Sequence, residues 1–110
     1  MKPTLLWLDD LRDPHLYLSE KDFKDYDIVW VKSFVEFTAW ITLNGAPEYV
    51  SFDHDLGEDL SGYDAVKFLA SYCERLERRL PNCTIHSANP VGRANIQSVI
   101  DTYNKVFDFS

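Results

Sequence analysis

Three short apolar runs in this chain each stop abruptly at residues that carry protons or charge. Leu5-Leu6-Trp7-Leu8 ends in Asp9-Asp10, Val50-Ser51-Phe52 ends in Asp53-His54-Asp55, and Cys83-Thr84-Ile85 ends in His86-Ser87-Ala88-Asn89. A brief, continuous apolar run fits a strand buried on both faces, as in a parallel sheet. Ligands of an open α/β sheet collect at the carboxyl ends of its strands, so three such ends point to one shared pocket.

At 110 residues and 45% hydrophobic, the chain is large enough to bury a core as a single domain over residues 1–110 without disulfides or metals to hold it. It carries 18 Asp and Glu against 11 Lys and Arg, a net charge of -7. That surface repels a nucleic-acid backbone and argues against nonspecific DNA or RNA binding. A small anion is not excluded, because a metal or a few local cations can reverse the potential inside one cleft. Cys73 and Cys83 lack zinc-like spacing and read as buried free thiols. With no basic leader or long apolar stretch, the expectation is a cytoplasmic protein with no membrane partner. The oligomeric state stays open.

Taken in order, Thr4 to Leu8 reads as the first strand. Residues 11–26 read as a loop with a short helix, broken at Asp13-Pro14 and restarted near Ser19. Asp27 to Lys32 is rich in β-branched and aromatic residues and reads as the second strand. Ser33 and Glu36 form a capping-box pair, and Phe34, Phe37 and Ile41 follow at helical spacing until Asn44-Gly45 and Pro47. Tyr49 to Phe52 is the third strand. Ser61 and Asp64 repeat the capping arrangement, and Ala65, Leu69, Tyr72 or Cys73, Leu76 and Leu80 predict the buried stripe of a long helix. Its outer face, Glu74, Arg75 and Glu77 to Arg79, is most simply solvated. Asn82 to Ile85 is the fourth strand, and Asn89-Pro90 opens a last helix whose buried stripe is Ile96, Val99, Ile100, Tyr103 and Phe107. Strands alternating with helices imply right-handed crossovers and a parallel sheet. The expected fold is α/β, a three-layer flavodoxin-like arrangement of about four strands in the order 2-1-3-4. The first and third strands are then central, with their acidic ends side by side.

Asp9, Asp10, Asp53 and Asp55 would bring like charges close together, which is costly unless a proton or a cation intervenes. Oxygen-only ligands of this kind suit Mg²⁺ or Mn²⁺, with Asp9, Asp10 and Asp53 as the metal set. Asp10 or Asp55 taken singly reads equally well as a turn cap. His54 and His86 end two strands expected to be neighbours, and a pair of imidazoles can supply the base and the acid of phosphodiester hydrolysis. Ser87, Asn89 and Arg93 surround the start of the last helix, where free backbone N–H groups and a guanidinium can hold a phosphate. Asn89 before Pro90 reads more strongly as the helix N-cap, and His15 reads as a surface residue.

Leu8-Asp9-Asp10, Phe52-Asp53 and Ser87-Ala88 together resemble the response-regulator receiver plan: an acidic pair, a phosphoacceptor Asp and a Ser-Ala after successive strands. Ser61-Gly62-Tyr63-Asp64 also falls where receivers place a glycine before a helix. Receivers carry a lysine, usually before a proline, after a fifth strand, and Lys105 lacks that context. Three longer strings, Trp7 to Pro14, Ser51 to Gly57 and His86 to Ile96, are similar to the cyclic-phosphate processing receiver-like family. That resemblance implies a role on cyclic phosphates of RNA ends or nucleotides.

The residues and the resemblance together lead to an enzyme that opens a cyclic phosphodiester. In that reading Asp53 and Asp55 lie at the centre, His54 and His86 act as acid and base, and Ser87, Asn89 and Arg93 hold the phosphoryl oxygens. The competing class is a non-enzymatic receiver module that binds a phosphorylated or cyclic-nucleotide ligand or a protein partner. A metal-dependent phosphomonoesterase is a third reading, separable by substrate preference.

Overall fold

The computed structural model of the protein describes residues 2–109. The strands β1 (Thr4–Leu8), β2 (Asp27–Val31), β3 (Tyr49–Phe52) and β4 (Asn82–Ile85) form one parallel sheet in the order β2-β1-β3-β4. The expected α/β fold and strand order are both found. Leu8 lies opposite Val31 and Phe52, and Phe52 lies opposite Ile85. The ladder runs one residue past the strand ends. Asp9 N–H donates to the Val31 carbonyl, Asp53 N–H to that of Leu8, and His86 N–H to that of Phe52. Asp9, Asp53 and His86 therefore sit at one level on three adjacent strands.

Strand alternation divides the sheet into two unlike faces. Leu6, Leu8, Val31, Val50 and Phe52 point to one face and are buried there with Phe37 and Ile41 of α2 (Phe34–Asn44). Ala65, Val66, Leu69 and Cys73 of α3 (Gly62–Arg75) and Ile96 and Ile100 of α4 (Pro90–Asp108) complete that core. Trp7, Trp30 and Ser51 share the opposite face. Its third layer is thin and comes from residues 10–26, which hold a 3₁₀ turn at Pro14–Leu16 and the short α1 (Glu20–Asp25). Two indoles fasten this segment to the sheet. Trp30 Nε1 donates to the Asp9 carbonyl at 2.7 Å and Trp7 Nε1 to the Arg12 carbonyl at 2.9 Å.

One helix cap and one helix boundary differ from expectation. Ser33 Oγ accepts from the Glu36 N–H, but Glu36 returns to the N–H of Lys32, not to that of Ser33. The predicted long third helix ends at Arg75, before Leu80. Leu76 is exposed, and Glu77 has a positive φ of 53° that turns the chain, so that Leu80 is buried from the loop and not from the helix. A stripe of apolar spacing carried past a helix end because spacing alone does not register where the backbone turns. The outer charges are exposed as expected, and Arg79 pairs with Asp108.

At the start of α3, Asp64 accepts from both the N–H and the hydroxyl of Ser61. The Ser61 backbone N–H, as the leading cause, holds the Asp64 carboxyl below its ordinary value. Asp64→Ala is expected to cost about 1 kcal/mol of stability. The folded chain binds this proton less readily than the unfolded one. The contribution is therefore present above the ordinary carboxyl value of 3.8 and lost as pH falls through the lowered one. Urea midpoints of wild type and variant should converge on acidification, and a gap that persists at the acid end would assign the effect to packing.

Candidate functional site

The site begins with Asp9, the first residue past β1. Its side chain is wholly buried, with Oδ1 accepting from the N–H groups of Leu11 and Arg12 at 2.9 and 2.8 Å. Its Oδ2 faces His86 Nε2 at 3.0 Å and Arg12 Nη1 at 3.3 Å. Burial alone would raise this carboxyl, but the N–H donors of Arg12 and Leu11, with His86, outweigh it and hold Asp9 below its ordinary value. The β1 turn that follows is thus built around an ionised Asp9.

Asp53 stands beside it at the end of β3 and is 4% exposed. Its Oδ1 accepts from the His54 N–H at 2.9 Å and lies 3.5 Å from Arg12 Nη1. Burial first, then the charge of Asp9, push the Asp53 carboxyl up, and Arg12 offsets only part of that shift. Asp10 closes the group: one oxygen from each of Asp9, Asp10 and Asp53 lies within 4.8 Å of the others. Gly57 fits the loop here for two reasons. Its φ is +68°, and a Cβ at that position would stand 2.9 Å from Asp10 Oδ2.

The two histidines are not equivalent. His86, with its side chain 16% exposed, places Nδ1 2.7 Å from Ser51 Oγ and Nε2 against Asp9. Its ring lies flat on Trp7, with centroids 3.8 Å apart and planes 3° from parallel. Burial lowers its pKa more than Asp9 raises it, so near pH 7 the contact with Asp9 is an Nε2–H hydrogen bond and not an ion pair. Both nitrogens are engaged. His54 instead uses Nδ1 alone, 3.0 Å from Asp55 Oδ1, while Asn89 Nδ2 donates to Asp55 Oδ2 at 3.3 Å. The bond to His54, then that to Asn89, keep Asp55 below its ordinary value. His54 Nε2 makes no hydrogen bond to the described residues. The ring rests on the first turn of α4, where a Cβ on Gly92 would fall 2.3 Å from its Cγ.

The third strand end is more occupied than its residue types suggest. Ser87 is buried and its Oγ accepts from the Asn89 N–H at 3.1 Å. Asn89 Oδ1 caps α4 by accepting from Gly92 N–H, as its place before Pro90 implies. Arg93 Nη1 donates to the carbonyls of Ile85 and Ser87 at 3.0 and 3.1 Å, which ties the helix to the end of β4. An open groove of about 950 Å³ between α3 and α4, lined by residues such as Tyr63, Val99, Tyr103 and Val106, contains none of these groups. His15 is exposed, stacks on Phe23 and bonds Asp13.

Residue types alone did not single out Arg12, Ser51 or Trp7. Ser51 carried one signal, a hydroxyl inside an otherwise apolar strand. Arg12 sits in the charged string after β1, and the structure turns it back onto both carboxylates, so that a cation stands beside Asp53. His86→Ala is expected to cost roughly 1–3 kcal/mol, because it strands the buried Ser51 hydroxyl, takes one of two donors from Asp9 Oδ2 and removes the ring from Trp7. Urea unfolding measures this. No loss would mean that the column from Trp7 to Ser51 closes without the imidazole.

The sequence model of the cyclic-phosphate processing Receiver domain matches residues 4–102. No curated protein matches the chain. Among solved structures, a chain described as a yeast Spc42 trimeric coiled-coil segment in fusion superposes with a TM-score of 0.70 at 15% identity, covering 97% of this chain and 77% of that one. A signal receiver domain from Vibrio parahaemolyticus gives 0.57 at 13% identity over 99% of this chain and 95% of that one. A CheY-like response regulator receiver domain from Methanospirillum hungatei JF-1 gives 0.55 at 16% identity over 98% and 95%. At such identities the structures speak for the fold alone. No helix among the described residues is long and apolar enough to cross a membrane. With its receiver fold, and with a family match that takes in all three strand ends, the chain belongs to the cyclic-phosphate processing receiver domain family.

Proposed function

We propose that this protein hydrolyses a cyclic phosphodiester, using His54 as the proton-transfer group. The observation that carries this reading is the Asp55-His54 pair. Asp55 fixes Nδ1 as the N–H side of the ring, and Nε2 is left as an acceptor with no hydrogen bond to the described residues. His54 Nε2 removes a proton from the attacking water as its oxygen bonds to phosphorus. One of the two ring P–O bonds then breaks, and the proton passes to the departing oxygen. The product is a phosphomonoester with a free hydroxyl.

Asp9, Asp10 and Asp53 are the residues that would hold a divalent ion of the Mg²⁺ or Mn²⁺ kind, since one oxygen of each lies within 4.8 Å of the others and all three are hard oxygen donors. Such an ion supplies stabilisation for charge on the phosphoryl oxygens. The chain's own part is to keep Asp9 ionised and fixed through the Leu11 and Arg12 N–H groups and His86. In this reading His86 is a positioning residue. Ser87 and Asn89, with Arg93 behind them, shape the phosphoryl-facing turn before α4.

The deciding experiment offers 2′,3′-cyclic, 3′,5′-cyclic and cyclic-oligonucleotide phosphates to wild type and His54→Ala, with and without Mg²⁺. Turnover of at least one ring type by wild type, lost in the variant, is the expected result. Binding without turnover across the panel would replace the enzyme with a ligand-binding receiver module. Stable labelling of Asp53 by acetyl phosphate would favour a phosphoryl relay.

A further inference from the structure

We propose that Arg12 is a resident cation of the Asp9-Asp53 pair, that a divalent ion displaces it, and that the released guanidinium then binds the phosphoryl oxygens of the substrate. The inference rests on the metal reading of the acidic cluster given above. Its starting point is that one nitrogen, Arg12 Nη1, serves two carboxylates at 3.3 and 3.5 Å, and both belong to the group of three able to share an ion. A metal and the guanidinium cannot hold Asp9 and Asp53 at once, because a small divalent ion needs carboxylate oxygens at roughly 2 Å and carries the larger charge.

The contact is built to open. Guanidinium binds carboxylates best as a two-pronged fork at shorter range, and here neither carboxylate is held that way. The Arg12 side chain is 33% exposed, so it can move toward solvent without unpacking the core. Its backbone, in contrast, is pinned on both sides: the N–H donates to Asp9 Oδ1 at 2.8 Å, and the carbonyl accepts from Trp7 Nε1 at 2.9 Å. The side chain can therefore pivot while the loop that shapes Asp9 stays in place. Asp53 supplies the second, independent element. It is 4% exposed, and among the described residues the cation paired with its carboxylate is Arg12, at 3.5 Å from an Oδ1 that already accepts from the His54 N–H at 2.9 Å.

Once displaced, a planar guanidinium with five N–H donors at the mouth of an acidic cluster matches two oxygens of a phosphoryl group. The order of events follows from charge. Without the ion, Arg12 is spent on Asp9 and Asp53, and an anion meets three carboxylates. With the ion in place, most of the cluster's negative charge is offset and Arg12 is free to bind the anion.

Mn²⁺ binding to the substrate-free protein, followed by the electron paramagnetic resonance signal of free Mn²⁺, tests this without reference to activity. Arg12→Gln should bind Mn²⁺ about tenfold or more tightly than wild type, since a competing unit charge a few ångströms away is gone. Arg75→Gln, an equal charge change at the exposed end of α3, should stay within about twofold of wild type. Inorganic phosphate should then bind Mn²⁺-loaded wild type and fail to bind Mn²⁺-loaded Arg12→Gln. If Arg12→Gln does not fold, Arg12→Lys replaces it, with a smaller gain in Mn²⁺ affinity that still exceeds the Arg75→Gln effect. Unchanged Mn²⁺ affinity on altering Arg12, or a gain no larger than that of Arg75→Gln, overturns the displacement. Phosphate binding that survives Arg12→Gln overturns the second role. Absence of Mn²⁺ binding in every variant fails the metal reading itself, and this inference with it.

Discussion

His54→Ala is expected to lower kcat/KM for the preferred cyclic phosphate by about 10²- to 10⁴-fold, or roughly 3 to 5 kcal/mol of transition-state stabilisation, with the fold retained. The fold should survive because the ring packs on a helix start, outside the buried cluster of Leu6, Phe37, Phe52 and Leu69. Asp55→Asn should cost less, since Asp55 acts through Nδ1 of His54 and touches no reacting atom. Steady-state kinetics on the three variants His54→Ala, Asp55→Asn and His86→Ala separate the roles. The His86 variant should show its largest change in stability and the His54 variant its largest change in turnover. Wild-type turnover in His54→Ala, alongside an inactive His86→Ala, would exchange the assignments and require the imidazole over Ser51 to leave its partners during the reaction.

Gly62→Ala is expected to destabilise the protein by about 3 kcal/mol or more. A Cβ at this position would fall 1.8 Å from the Asp53 carbonyl oxygen and 3.0 Å from the His54 Cα. These are backbone atoms at the end of a central strand, held in turn by Asp53 N–H to Leu8 and by Gly62 N–H to the His54 carbonyl. Nothing there yields without moving the two residues on which the site depends. A loss of this size is a large share of the net stability of a small domain. Gly92→Ala meets a side chain instead, the His54 ring at 2.3 Å, so its main effect should be lost turnover through displacement of His54. Urea unfolding and kinetics on both variants check the contrast. Equal midpoints for Gly62→Ala and wild type would mean that α3 does not start against the Asp53 carbonyl.

The second of these predictions concerns a position that residue type alone would rank low. A glycine before a helix was legible as a receiver-like feature, but its distance from Asp53 was not, because that distance depends on how α3 returns to the end of β3. The same applies to Arg93. At a helix N-terminus beside a Ser it has the chemistry of an anion ligand, and in the folded chain its Nη1 is bound to two carbonyls at the end of β4. The predicted length of α3 overran by several residues for a related reason: Leu80 is buried, as its apolar character implied, but from the loop that follows the turn at Glu77.

What could be determined from the sequence was the order of elements and the level at which the chemistry sits. Apolar runs that stop at charged residues mark strands and their ends, and alternation with helical spacing restricts the chain to a parallel sheet with Asp9 and Asp53 on neighbouring central strands. These are local and periodic properties, written in consecutive residues. Tertiary structure alone decided the pairing. It set His86 on Trp7 and between Ser51 and Asp9, left His54 with one free nitrogen, and folded Arg12 back over two carboxylates. Hydrogen bonds between side chains far apart in the chain depend on distances of a few tenths of an ångström, which the spacing of residue types does not encode.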